Sequence, residues 1–228
     1  MNSVIFGAAK GLGLCLTQEL LVKGYRVAAG TIGMTPGLCE LKVKYGDSLF
    51  VFEADITSEN QVEAGAKQCG EFPGRIDSIC ITAGILFDGD RTKLLQECDI
   101  EELKKTFEVN VAGPVAVVKH FHPLLREGAN VFIVTSEGVG VGSCGTWVPC
   151  YGLSKTAATK ACGIFNKSLP SVNFFAVHPG RMNTDMGRTT AQIEPSESAE
   201  GFCRLISGET PLSRELWYID YKGNKLSY

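Results

Sequence analysis

Val4-Ile5-Phe6-Gly7-Ala8-Ala9-Lys10-Gly11-Leu12-Gly13 opens the chain and decides how the rest of it is read. The apolar run reads as a buried strand. Glycines then stand at i, i+4 and i+6, and Leu12, Leu16, Leu20 and Leu21 recur at helical spacing up to Lys23. Glycine permits a tight turn and lets a ligand approach the backbone closely. The start of the following helix offers unpaired N–H groups and a dipole that favours an anion. The stretch therefore points to a strand–turn–helix unit that binds a dinucleotide pyrophosphate.

The alternation continues along the chain. Apolar runs at residues 25–29, 48–52, 76–82, 131–135, 172–177 and 216–220 read as further strands. Helical patterns lie between them at 58–69, with Ser58 as a plausible N-cap, and at 100–125, broken or bent near Gly113-Pro114. Two more fall at 148–169 and 196–207. Near-continuous apolar strands separated by helices imply an α/β architecture: a parallel sheet of about seven strands, covered on both faces. No linker, repeat or low-complexity segment divides residues 1–228, which read as one domain. In such a sheet, ligands sit at the carboxyl ends of the strands. The unusual residues fall at those ends: the glycine turn, Asp55, Thr82-Ala83-Gly84, Ser136 and the segment from Pro179 to Thr184.

Composition narrows the function classes. The 228 residues are 44% hydrophobic and 21% charged, with a net charge of −3 and no basic run, which argues against nucleic acid. No apolar stretch reaches the length of a membrane span, and the first residues lack the basic start of a signal peptide. Nine cysteines are scattered without metal-like spacing and mostly in apolar contexts. They read as reduced packing residues in a cytoplasmic protein, with no metal site.

Tyr151 and Lys155 stand four apart in Tyr151-Gly152-Leu153-Ser154-Lys155, on one face of a helix. A nearby ammonium stabilises a phenolate, so this pair suits proton transfer near neutral pH.

The G-x-x-x-G-x-G spacing resembles that of the short-chain dehydrogenase/reductase family, and the likeness extends over nearly the whole chain. Asp55 in Ala54-Asp55-Ile56 resembles the aspartate that contacts adenine. Ile81-Thr82-Ala83-Gly84 resembles the family's Asn-Asn-Ala-Gly, with both asparagines replaced. Asn110 matches the helix asparagine that holds a proton-relay water, and Ser136, Tyr151 and Lys155 match the catalytic serine, tyrosine and lysine. His178-Pro179-Gly180-Arg181-Met182-Asn183-Thr184 matches the segment that embraces the nicotinamide. The resemblance implies a Rossmann-like doubly wound domain and a catalytic set of Asn110, Ser136, Tyr151 and Lys155. Its implied cofactor-binding set is Gly7, Lys10, Gly11, Leu12, Gly13, Asp55, Ile56, Ala83, Gly84, Asn110, Tyr151, Lys155, Pro179, Gly180, Met182 and Thr184. The serine usually lies thirteen residues before the tyrosine; Gly138 occupies that place, so Ser136 and Ser143 compete, with Ser136 favoured as the end of the fifth strand.

No acid follows the glycines in Gly30-Thr31-Ile32-Gly33-Met34-Thr35, where NAD-preferring sites carry one, and Lys10 offers charge to a 2′-phosphate. NADP(H) is favoured, with NAD(H) the alternative. The short loop after Thr184 and the unusual C-terminal residues resemble the small carbonyl-reductase and C-factor-like branch. Trp147, Val139, Leu86, Met182 and Met186 are candidates for an apolar entrance. Relatives pair through the helices at 112–125 and 148–169, which implies a homodimer or homotetramer, although Ala157, Ala158 and Ala161 are equally suited to packing within their own chain. The expected activity is hydride transfer between nicotinamide and a carbonyl or secondary alcohol, with Tyr151 as general acid/base. The alternative is a dinucleotide-binding regulatory protein; nothing supports an epimerase or dehydratase.

Overall fold

In the computed structural model, which describes residues 1–71, 75–137, 139–140, 145–187 and 191–227, seven parallel strands form one sheet. They are β1 (Asn2–Phe6), β2 (Arg26–Thr31), β3 (Leu49–Glu53), β4 (Ile76–Ile81), β5 (Leu125–Val134), β6 (Asn173–His178) and β7 (Tyr218–Asp220). Their order is β3-β2-β1-β4-β5-β6-β7. The chain winds outward from β1 to β3, then returns to the other side of β1 with β4. That reversal opens a crevice beyond the carboxyl ends of β1 and β4. Ile5 of β1 lies opposite Ala29 on one side and Cys80 on the other, so β1 is an interior strand paired on both sides.

Period-two alternation divides the side chains between two cores. Phe6, Phe52, Ile133 and Phe174 face one layer, where Phe6 meets Phe121 edge-on at 5.0 Å. Ile5, Phe132 and Phe175 face the other, with Leu16, Leu20 and Phe202. The first layer receives α3 (Glu59–Glu71), α5 (Gly113–Phe121) and α6 (Pro149–Ser168); the second receives α1 (Gly11–Val22) and α7 (Pro195–Ser207), which pack against each other. Ala158 lies inside the first core, so that part of the small-residue face on α6 meets its own sheet.

The chain departs from the sequence reading in three places. A helix α2 (Pro36–Tyr45) fills the β2–β3 connection; Thr35 caps it and Pro36 begins it, a local start signal that the apolar periodicity alone does not register. The span expected at 100–125 resolves into α4 (Ile100–Phe107), a π-helical turn (Glu108–Ala112) and α5, so the break begins before Gly113-Pro114. β5 starts at Leu125, six residues earlier than expected. No helix among the described residues is long and apolar enough to cross a membrane.

Candidate active site

The glycine turn explains its own composition. Gly7 has φ +87° and Gly11 φ +54°, conformations that side chains disfavour. A Cβ at Gly7 would lie 2.7 Å from the Ala83 nitrogen, and one at Gly13 would collide with the Gly7 carbonyl oxygen. Thr82, in place of an asparagine, ties β4 to the turn: its hydroxyl donates to the carbonyls of Phe6 at 2.8 Å and Gly7 at 3.3 Å. Lys10 takes the N-cap position of α1 in an extended conformation without a side-chain cap bond, and no acid occupies the first turn. Gly11, Leu12 and Gly13 thus begin a helix whose own first turn carries no acid, which suits a dinucleotide phosphate. The Lys10 ammonium sits 2.7 Å from Asp185, with both side chains exposed.

Asp55 follows β3 and turns back on itself. Its Oδ1 accepts from the Thr57 amide at 2.9 Å and the Thr57 hydroxyl at 2.7 Å, and these bonds hold the carboxyl below its usual range. Ile56 is buried against Gly113, where a Cβ would come within 2.6 Å of it. Ala83 and Gly84 continue from β4; a Cβ on Gly84 would meet the Asn110 Oδ1 at 3.1 Å and the Lys155 Nζ at 3.2 Å.

Asn110 sits on the π turn, fully buried. Its Oδ1 accepts from the Ile85 amide at 2.8 Å, and its Nδ2 donates to the Ile85 carbonyl and the Ser154 hydroxyl, both at 3.0 Å. The Lys155 ammonium, also buried, donates to the Val134 carbonyl at 2.8 Å and lies 5.5 Å from the centre of the Tyr151 ring. Burial lowers its pKa to about 8. Tyr151 is pushed up to about 12 by burial, and the charge that opposes this is Arg91. The expected stabilisation of phenolate by Lys155 is therefore not the leading influence in this state of the protein: the ammonium is turned to the end of β5.

Tyr151 shares an open cleft of about 760 Å³ with Ser136, Pro179, Gly180, Met182 and Thr184. Trp147, Val139, Leu86 and Met186 line it as well. Ser143 lies outside the described residues. The Ser136 carbonyl accepts from the Tyr218 hydroxyl at 2.8 Å, which fixes the end of β5 to β7. Gly180 has φ +83°, and the Thr184 hydroxyl accepts from the Gly187 amide at 3.1 Å, folding the segment after β6 over itself. On one wall of the cleft, the Glu137 amide donates to His178 Nδ1 at 3.1 Å and Arg181 pairs with the Glu137 carboxylate at 2.5 Å.

A model of the short chain dehydrogenase family matches residues 2–194. The chain belongs to that family. A 1-hydroxy-2-glutathionyl-2-methyl-3-butene dehydrogenase of Rhodococcus sp. (strain AD45) is 29% identical over 220 residues, 91% of each chain. A short-chain dehydrogenase/reductase from Burkholderia multivorans with bound NADP covers 100% of this chain and 99% of its own, with TM-score 0.88 at 22% identity, a likeness of fold. A carbonyl reductase from Pseudomonas aeruginosa PAO1 in complex with NADP covers the same shares, with TM-score 0.83 at 25% identity. The protein is thus an NAD(P)-dependent oxidoreductase.

One feature of this dehydrogenase was not visible from its motifs. Val148, at the N-cap of α6, has φ 46° and ψ 57°, the one non-glycine residue with positive φ among those described. A β-branched residue in that region, directly before a proline, stores roughly 1–3 kcal/mol of strain. Its side chain caps nothing. Instead the buried Asp90, from the short turn Asp88–Arg91, accepts from the Cys150 amide at 2.9 Å and the Tyr151 amide at 2.8 Å. A cap supplied from sixty residues away leaves no local signature. The neighbouring Arg91 donates to the Met186 carbonyl at 2.6 Å.

Proposed function

We propose that the protein is an NADP(H)-dependent carbonyl reductase, or alcohol dehydrogenase in the reverse direction, with Tyr151 as general acid/base. The observation that carries this reading is the buried Asn110–Gly84–Lys155 cluster immediately behind Tyr151, at the cleft that Ser136 and the segment after β6 also line. Gly7, Gly11 and Gly13 with the open start of α1 would hold the pyrophosphate, Asp55 and Ile56 the adenine side, and Ala83, Gly84, Pro179, Gly180, Met182 and Thr184 the nicotinamide side. Bound there, the dinucleotide supplies the hydride. Lys10, and the absence of an acid between Gly30 and Thr35, support NADP over NAD. The NADP carried by the neighbouring structures supports it too.

Tyr151 gives its proton to the substrate oxygen as the carbonyl carbon is reduced, and takes it back in oxidation. Ser136 orients that oxygen and stabilises the developing charge through its hydroxyl. A Lys155 with a pKa of about 8 is largely protonated at neutral pH, so it offsets the charge left on the phenol and can pass a proton on. Asn110 holds the helix turn beside it. The apolar walls, with Leu94, Leu95 and Trp147 at an open rim, suit substrates with a bulky apolar body. Exposed Val115 on α5 and Leu153 and Ile164 on α6 support a homodimer or homotetramer built on those helices. Eight free cysteines among the described residues suit a reducing cytoplasm, and the chain acts as one unit from 1 to 228.

The test is oxidation of NADPH, and separately NADH, over ketones, aldehydes and diketones, with Tyr151→Phe measured alongside. Turnover that disappears in the variant while NADPH still binds is the expected result. Binding without turnover for any carbonyl would favour the regulatory reading.

A further inference from the structure

We propose that the Asp88–Arg91 turn is a positioning element for the reaction: Asp90 sets the place of Tyr151, and Arg91 ties that place to the Met186 segment at the substrate cleft. The inference rests on Tyr151 being the proton donor. Three independent features carry it. Asp90 puts one carboxylate oxygen on the Cys150 amide and the other on the Tyr151 amide, at 2.9 and 2.8 Å, while itself only 6% exposed. Val148 stands in a left-handed conformation just before them, so the entry to α6 is held against its backbone preference. Arg91, the next residue, donates at 2.6 Å to the carbonyl of Met186, which lines the cleft.

The chemistry of the arrangement is directional. A buried carboxylate facing two amides at a helix start makes charge-assisted bonds and is favoured by the helix dipole. It fixes the backbone of the residue that must place a hydroxyl within hydrogen-bond reach of the substrate oxygen. Arg91 couples to the same residue through space, since its cation favours the phenolate of Tyr151. Movement of Met186 when a substrate enters would pull on Arg91 and so on the turn that carries Asp90. Among the other titratable or charged groups, Lys155 on the same helix lies 5.5 Å from the ring, Asp90 bonds the Tyr151 amide, Asp88 pairs with Arg91 at 3.7 Å, and Glu137, Arg181 and His178, whose pKa burial lowers, line the cleft.

Asp90→Asn, Asp90→Ala, Arg91→Met and Arg91→Lys separate these roles, with Tyr151→Phe as control. For Asp90→Ala we expect kcat to fall about 10- to 100-fold, the cost of a small misplacement of a reacting group, with Asp90→Asn between it and wild type. NADPH affinity should stay within about twofold, because the glycine turn is untouched. Hydrogen exchange at the first turn of α6 should speed up in both. Arg91→Met should move the limb of the kcat–pH profile for alcohol oxidation that reports Tyr151 to higher pH, and Arg91→Lys should bring it back. If Asp90→Ala does not fold, the Asp90→Asn and Arg91 profiles decide. Wild-type kcat and pH limb in every foldable variant, or losses of kcat and NADPH affinity in equal proportion, would overturn the proposal. Full turnover in Tyr151→Phe would instead overturn the functional reading on which it rests.

Discussion

Helices α1 and α6 both begin at a residue whose own side chain caps nothing: Lys10 in one case, Val148 in the other. From there they diverge. The start of α1 follows the Gly7 turn, contains Gly11 and Gly13 and has no acid in its first turn. The start of α6 is plugged by Asp90, a buried carboxylate that arrives from a different connection. A helix start leaves N–H groups without a partner inside the helix; at α6 Asp90 takes two of them, the Cys150 and Tyr151 amides, and at α1 no acid of the first turn does so. An open helix start suits an anion, here the proposed pyrophosphate. A plugged one marks a residue that is being held, here Tyr151.

Variants can break that contrast in order of effect. Tyr151→Phe strikes the held residue: kcat should fall about 10²- to 10⁴-fold, the range for a lost general acid, while NADPH titration by fluorescence stays unchanged. Gly13→Ala strikes the open one, because its Cβ would collide with the Gly7 carbonyl and lie 2.7 Å from the Thr82 hydroxyl. Relief of that clash must shift the turn proposed to hold the pyrophosphate, so calorimetry should show NADPH binding weakened roughly tenfold or more, with the chemical step in single turnover spared. An equal loss of both properties in either variant would erase the distinction.

Lys155 sharpens it through pH. The folded protein lowers the pKa of this lysine from 10.5 to about 8. Below pH 8 it is charged in both folded and unfolded chains, and the full cost of burying the charge is present. Between about pH 8 and 10.5 the unfolded chain binds more protons, so this group's contribution to stability rises with pH. Lys155→Met should therefore raise the melting temperature at neutral pH while abolishing turnover, and its advantage over wild type should shrink as pH approaches 10.5. Buried thiols run the other way: Cys69 and Cys162 are raised above 9.0 by burial, so the stability they lend is complete below pH 9 and lost as pH climbs through their folded values.

The smallest effect concerns Lys10. Its pair with Asp185 is exposed and worth at most about 1 kcal/mol. Asp185→Asn removes that competitor, and the KM for NADPH should fall a fewfold with that for NADH unchanged. An equal change for both cofactors would mean that Lys10 does not meet a 2′-phosphate.

Much of this was legible in the chain because it rests on local rules. The glycine turn is strand, turn and helix in ten residues, and its register places Gly7, Gly11 and Gly13 where backbone conformation and close packing require them. Tyr151 and Lys155 share a helix face by spacing alone. The π turn under Asn110 was not legible, because a one-residue change of helical pitch has no periodicity of its own. Thr82 stands where the resemblance expects an asparagine; that its hydroxyl holds the Phe6 and Gly7 carbonyls is revealed only by the three-dimensional approach of β1 and β4. Asp90 was invisible for the same reason: capping rules look three residues ahead, not sixty. The expected influence of Lys155 on the Tyr151 phenol failed to dominate because spacing sets which residues share a face, not which carbonyl an ammonium turns toward.

The bond from the Tyr218 hydroxyl to the Ser136 carbonyl spans 82 residues. It makes the place of Ser136, proposed to orient the substrate, depend on the last strand: the end of β5 gains this donor only because β7 lies at the edge of the sheet. Tyr218→Phe should therefore raise the KM for the carbonyl substrate while NADPH binding, read by fluorescence, stays unchanged.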